Sequence, residues 1–201
     1  MIVTSLALVA SLAAPPGTLI DRVVAVVDKE VVTQSELLVE ARVALAQREG
    51  EAAAATDLDE PALKAFLEWL VSQILVSAQA RRLGAAEVTA AEVERDLQAL
   101  AQSFSSPDAY RAFLRRFDVS EDRLRHILER NRRNERFIGD RMRLIGAGER
   151  GTDPSSPQYQ QALRRWLEEL RDAVDLRLLG PVGELELQPK RGGTSAATAG
   201  D

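Results

Sequence analysis

The sequence predicts a mainly α-helical domain with a small β-hairpin near its N-terminus, completed by a helix and a strand from its C-terminal side. Three observations predict this class. Apolar residues make up 45% of the 201 residues but aromatic ones only 4%, so the interior must be largely Ala, Leu and Val, which favours helices. Helix-start signals recur along the chain: Thr33 with Glu36, Asp59 with Pro61, Thr89 with Glu92, Ser106 with Pro107, and Ser120 with Glu121. Finally, two valine-rich runs, Val23 to Val27 and Val31 to Val32, flank the polar break Asp28-Lys29-Glu30. Valine suits a pleated surface and the break suits an exposed turn, although without Gly or Asn no particular turn type follows.

Taken in order, the hairpin is too small to be stable alone and must lean on helices. The capping box Thr33/Glu36 sends its second strand straight into a helix over about 34–47, with Leu37, Leu38, Ala41, Val43 and Leu45 as a broad apolar face. Residues 50–59, alanine-rich and acidic, read as a loop. Asp59-Glu60-Pro61 opens a helix in which Leu63, Phe66, Leu67, Leu70, Ile74, Leu75 and Ala78 recur at helical spacing. Val71 widens that stripe, so this is expected to be the most buried helix, ending at Gly84.

A second capping box at Thr89 opens a helix carrying Val93, Leu97, Leu100 and Phe104. A short helix follows from Ser106-Pro107 with Tyr110, Phe113, Leu114 and Phe117, then a long arginine-rich helix with Leu124, Ile127, Leu128, Phe137 and Ile138. Residues 146–157, rich in Gly, Ser and Pro, form a linker. A last helix over about 157–172 presents Leu163, Trp166, Leu167 and Leu170; residues 174–179 alternate as a strand and 184–187 offer another. Residues 189–201 have the composition of a disordered tail.

The apolar run Ile2 to Ala13 is too short to span a bilayer and has signal-peptide length, with Ser11-Leu12-Ala13 as a cleavage site. Only the α-amino group is positive ahead of it, and the competing reading is a buried strand or N-terminal helix. Export with cleavage after Ala13 is the expectation, and no integral membrane span is expected. The absence of Cys excludes disulfides and thiolate chemistry.

The stretch from Asp21 to Leu37 resembles the opening of the SurA-type periplasmic chaperones, the parvulin-linked prolyl isomerase family of the bacterial envelope. In that family a D-x-V-x-A-V-V strand, a turn and a V-V-T/L-x-S-E/D-L segment precede a helical core. The matching residues here are Asp21, Val23, Ala25, Val26, Val27, Val31, Val32, Thr33, Ser35, Glu36 and Leu37. Glu94 to Arg143 resembles the family's third to fifth helices, and Trp166-Leu167-Glu168-Glu169-Leu170-Arg171 with Val174 to Leu179 resembles its closing W-L-x-E-x-R…Y-V-K-I-L. The resemblance covers residues 20–180. It implies one chaperone module built from both ends of the chain, with the linker 146–157 where parvulin domains are inserted in the family. A segment of that length cannot form an isomerase active site.

No catalytic constellation emerges beside it. His126, the only histidine, reads as a surface or groove residue, and phosphate-binding, zinc-protease and nucleophile-elbow motifs are absent. Arg123, Arg125, Arg130, Arg132, Arg133, Arg136, Arg141 and Arg143 crowd one helix and could seat against phosphates. Glu121, Asp122, Glu129, Glu135 and Asp140 are interleaved at ion-pair spacing, however, and the net charge is −5. Trp69 and Trp166 read as core anchors where the last helix docks. Tyr110, Phe113 and Phe117 share one face, which either fastens their helix to the core or lines a groove for unfolded chains.

The reading that results is an exported, ATP-independent chaperone without cofactor or metal, binding unfolded envelope or outer-membrane proteins. The alternatives are a prolyl isomerase, or an inactive relative dependent on a parvulin partner, and a basic-helix nucleic-acid-binding protein. The linker would also let the C-terminal segment dock on a second copy, giving a homodimer by exchange.

Overall fold

Strands Val23–Val27 (β1) and Glu30–Thr33 (β2) pair antiparallel around the turn Asp28-Lys29, with Val27 opposite Glu30 and Val26 opposite Val31. The turn that lacked a glycine is made by Asp28 in the left-handed region at φ 54°, a conformation that Asp tolerates better than most residues. The computed structural model describes residues 21–147 and 153–179, together with the backbone of 185–186. The expected signal segment 1–13 and the tail 189–201 lie outside the described residues.

Thr33 caps helix α1 (Gln34–Glu49) with both bonds of the box in place, Glu36 N–H to Thr33 Oγ1 at 3.3 Å and Thr33 N–H to Glu36 Oε2 at 3.0 Å. Helices α3 (Glu60–Arg82), α4 (Ala90–Gln102), α5 (Pro107–Arg116), α6 (Glu121–Leu144) and α7 (Pro157–Asp172) start at the caps Asp59, Thr89, Ser106, Ser120 and Ser156. Gly84 follows the end of α3 at φ 57°, and the Ala85 amide returns to the Ala80 carbonyl at 3.0 Å, so this glycine supplies the left-handed residue the stop needs.

Two expectations about the helices are corrected. Residues 50–59 are not all loop: Glu51–Ala55 form a short helix, α2, because Arg42 donates from α1 to the carbonyls of Ala54 (3.0 Å) and Thr56 and so satisfies its C-terminal end. Nor is α3 the most enclosed helix. Eight of the 16 residues of α1 are buried against eight of 23 in α3, and Val39 to Ala44 are buried without a break. Packing on several sides at once removes the polar face that a surface helix keeps.

The ends of the chain meet in the sheet. Strand β3 (Leu176–Leu179) runs antiparallel to β1 on the side away from β2, with Ala25 opposite Leu178 and Val27 opposite Leu176. A two-residue strand, β4 (Leu185–Glu186), completes the order β2-β1-β3-β4. β3 begins two residues later than the alternation suggested, because the Val174 amide still closes the last turn of α7 on Arg171 O at 3.4 Å.

Three clusters make the core. One joins the sheet to α3 through Val24, Val27, Val32, Leu67, Val71, Ile74 and Leu176. A second packs α1, α4, α5 and the first half of α6 around Val43, Leu100, Phe113 and Leu124. The third seats α7 on α3 and α6: Trp166, 5% exposed, packs edge-on against Phe137 with centroids 5.9 Å apart, beside Val76, Ala80 and Met142. Trp69 stays half-buried, its ring edge-on to Phe66 at 6.4 Å.

Candidate functional site

The aromatic face of α5 turns mostly inward. Tyr110 and Phe113 are buried and pack on Phe104 at centroid distances of 5.6 and 5.0 Å. Tyr110 Oη has no hydrogen-bond partner among the described residues, and burial pushes its pKa up. Phe117, which caps α5, is half-buried, and the guanidinium carbons of Arg42 and Arg116 sit 5.0 and 5.2 Å from its ring centre. Of the three aromatic residues singled out from sequence, Phe117 is the one with surface to offer.

The arginines of α6 are mostly spent inside the protein. Six of the eight form ion pairs: Arg125, Arg133 and Arg143 with carboxylates of their own helix, and Arg125, Arg130, Arg132 and Arg136 with other helices. Arg130 reaches buried Glu40 of α1 at 2.6 Å, Arg132 reaches Asp96 at 2.9 Å, and Arg136 reaches Glu92 at 2.6 Å. Asn134, 1% exposed, donates Nδ2 to the backbone and side-chain oxygens of Gln73, both at 2.9 Å, and ties α6 to α3. The run is therefore a set of struts between helices. The sequence showed the pairs along α6 but not those across helices, because residues 31 to 90 apart carry no local signature.

Arg123 and Arg141 make no ion pair among the described residues. Arg123 and the exposed His126 line an open polar groove of about 410 Å³ beside Val31, Glu36, Glu129 and Arg133. No group of three His, Asp or Glu residues able to hold a metal ion occurs among the described residues, and no described helix is long and apolar enough to cross a membrane.

A larger hollow, about 650 Å³, lies where the two ends of the chain meet. Val27 of β1, Ile74, Leu75 and Ala78 of α3, and Leu170, Ala173 and Val174 at the end of α7 form its apolar walls. The hairpin tip, Asp28-Lys29-Glu30, and Gln79 and Arg82 of α3 form its rim. Another opening, about 490 Å³, runs between α3 and α7 past Trp69, Val76, Leu163 and Leu167. Neither was visible in the sequence, where these residues count simply as core stripes; the hollows exist because the stripes do not close on each other completely.

The fold and these openings define a class: a helical module closed by its own C-terminal helix and strand, with apolar recesses where its elements meet. Residues 1–137 match the SurA-like N-terminal domain, and the chain belongs to that family. That domain is the chaperone module of its family and not the catalytic one. No curated protein matches the chain. Helix α7 and strand β3 lie beyond the matched residues, yet β3 extends the sheet and α7 with the residues just after it walls both apolar hollows.

Proposed function

We propose that this protein is an ATP-independent periplasmic chaperone that shields apolar segments of unfolded envelope and outer-membrane proteins. Residues 20–180 form the working module, and a signal segment cleaved after Ala13 delivers it. The observation that carries the reading is the hollow of about 650 Å³ at the junction of the chain's ends, with apolar walls and an open mouth. Binding sites for small apolar groups are commonly concave recesses of roughly 300–1,000 Å³ lined mostly by hydrophobic side chains. Binding driven by apolar area is non-directional, so it suits many client sequences and needs no nucleotide. Family membership supports the same reading.

The test is suppression of aggregation. An outer-membrane protein diluted from urea should stay in solution when the purified mature protein is present in small excess, and scatter light without it. Absence of any suppression at several ratios would refute the proposal. A cis–trans assay on a short X-Pro peptide separates it from an isomerase: uncatalysed exchange takes tens to hundreds of seconds, and the protein should leave that time unchanged.

A further inference from the structure

We infer that the open edge of β2, beside the polar groove, holds client chains by their main chain, one extended segment pairing with Val31 as an added strand. The inference rests on the chaperone reading and adds a second site to it, one that takes backbone rather than an apolar side chain.

The register of the sheet shows which backbone groups are free. The Asp28 amide donates to the Asp175 carbonyl, so the Val27 carbonyl, at the other side of the same peptide plane, points to β2. Successive residues of a strand turn their N–H and C=O to opposite edges, which puts those of Val26 on the β3 side, across from Arg177. Val31 lies opposite Val26. These two therefore exchange no hydrogen bond, and the N–H and C=O of Val31 point away from β1 to the open edge. Neither group has a partner among the described residues, and Val31 is 48% exposed. Thr33, the next residue turned that way, already gives its N–H to Glu36 at 3.0 Å. One donor and one acceptor are left, spaced as a neighbouring strand would meet them.

The groove in front of this edge, about 410 Å³, suits main chain rather than charge. Four carboxylates and four guanidinium groups line it, and three of each pair with one another. With its charges balanced, it favours neither acidic nor basic client side chains. A peptide unit, neutral and polar, complements the Val31 donor and acceptor whatever the sequence that carries it. The first half of α6 lines the same groove through Arg123, His126 and Ile127. A second folded copy carries its own α6 in that place, so two such edges meet helix before strand. A single extended segment fits between β2 and α6.

The experiment uses the full mature chain and a fluorescein-labelled Thr-Val-Thr-Val-Thr peptide with blocked ends. Its control is the same peptide N-methylated at every residue, which keeps the side chains and loses the N–H donors. Fluorescence anisotropy should show the methylated peptide binding about tenfold more weakly, a ratio that salt leaves unchanged. Val31→Pro removes the donor at an edge position whose N–H faces outward, where proline is tolerated. Circular dichroism should show an intact fold, and the unmethylated peptide should bind only as weakly as the methylated one. Val31→Thr keeps the donor and should bind as the parent protein does. Amide exchange at Val31, followed by NMR, needs no variant: it should slow with the unmethylated peptide and not with the methylated one. Equal affinity for the two peptides, a folded Val31→Pro protein that binds unchanged, or Val31 exchange untouched by a peptide that binds overturns the inference. Protection of Val31 that rises with protein concentration alone gives the edge to a second copy and overturns it as well. If the same preparation still suppresses aggregation, only this site assignment fails. If it neither suppresses aggregation nor binds any peptide, the chaperone reading falls and the inference with it.

Discussion

Asp28 and Asp175, 147 residues apart, exchange hydrogen bonds across the sheet: the Asp28 amide donates to the Asp175 carbonyl at 2.8 Å, and the Asp175 amide donates to Asp28 Oδ1 at 2.9 Å. One residue thus shapes the hairpin turn and fastens the returning C-terminal strand to it. The left-handed backbone of Asp28 aims its amide at β3, and its short side chain reaches the next donor in line. The Asp175 carboxylate in turn accepts from Arg177 at 2.9 Å.

Replacing Asp28 separates these roles. Asp28→Asn keeps an acceptor oxygen and tolerates the positive φ, so its urea midpoint should stay close to that of the parent protein. Asp28→Ala loses the acceptor and strains the backbone, and should cost about 1–3 kcal/mol. Equal stability of the two variants would show that the clasp contributes nothing.

The docking of α7 rests on Trp166, which fills the space between Phe137, Val76 and Met142. Trp166→Ala should cost about 3–5 kcal/mol in equilibrium unfolding. Truncation after Leu144 removes α7 and β3 together, opening the edge of β1 and the face around Phe137, and the remainder should aggregate or lose cooperative melting. A soluble truncated chain with unchanged melting and helicity would make the C-terminal segment an appendage.

Acid should weaken the protein in a defined window. Glu92 accepts from the Thr89 amide and then from Arg136, and these donors hold its pKa at about 2 against an ordinary 4.5. Asp21, bonded first by the Ser35 hydroxyl, lies at about 2 against 3.8. A folded pKa below the unfolded one stabilises fully above the unfolded value and is lost as pH falls through the folded one. Melting temperature should therefore decline between pH of about 4.5 and about 2. Glu92→Gln, which keeps the capping acceptor without the charge, should make that decline shallower; an unchanged slope would rule Glu92 out as a contributor.

Arg42 is 7% exposed and caps α2 through its guanidinium while stacking on Phe117. Arg42→Met keeps the buried stem but leaves the carbonyls of Ala54 and Thr56 without that donor, an expected loss of about 1–3 kcal/mol. Arg42→Lys should not restore the parent stability, since an ammonium offers neither the planar stack nor the same fork. Full recovery with Lys would reduce the site to simple charge.

Much of the architecture is written in local signals. Thr33/Glu36, Thr89/Glu92, Ser106-Pro107, Ser120 and Gly84 mark helix ends because caps satisfy orphan backbone groups within three or four residues of themselves. The valine pairs mark the hairpin for the same reason of range, and the apolar stripe of the last helix announces that it needs a partner. That it docks on the helical core is an expectation from the sequence; which residues it meets there, Phe137, Val76, Ala80 and Met142, tertiary structure alone decided. Glu40 and Arg42 look like the polar face of a surface helix, yet enclosure by α2 and α6 makes them buried partners of Arg130 and of the Ala54 and Thr56 carbonyls. Tyr110 and Phe113 share a face with Phe117 by periodicity, but only the neighbouring Phe104 shows which of the three are spent inside. The hollow beside Lys29 and Arg82 has no sequence signature, because it is the space left between three stripes that each look like ordinary core. Periodicity tells which side chains avoid water; how completely they meet depends on contacts between residues far apart in the chain.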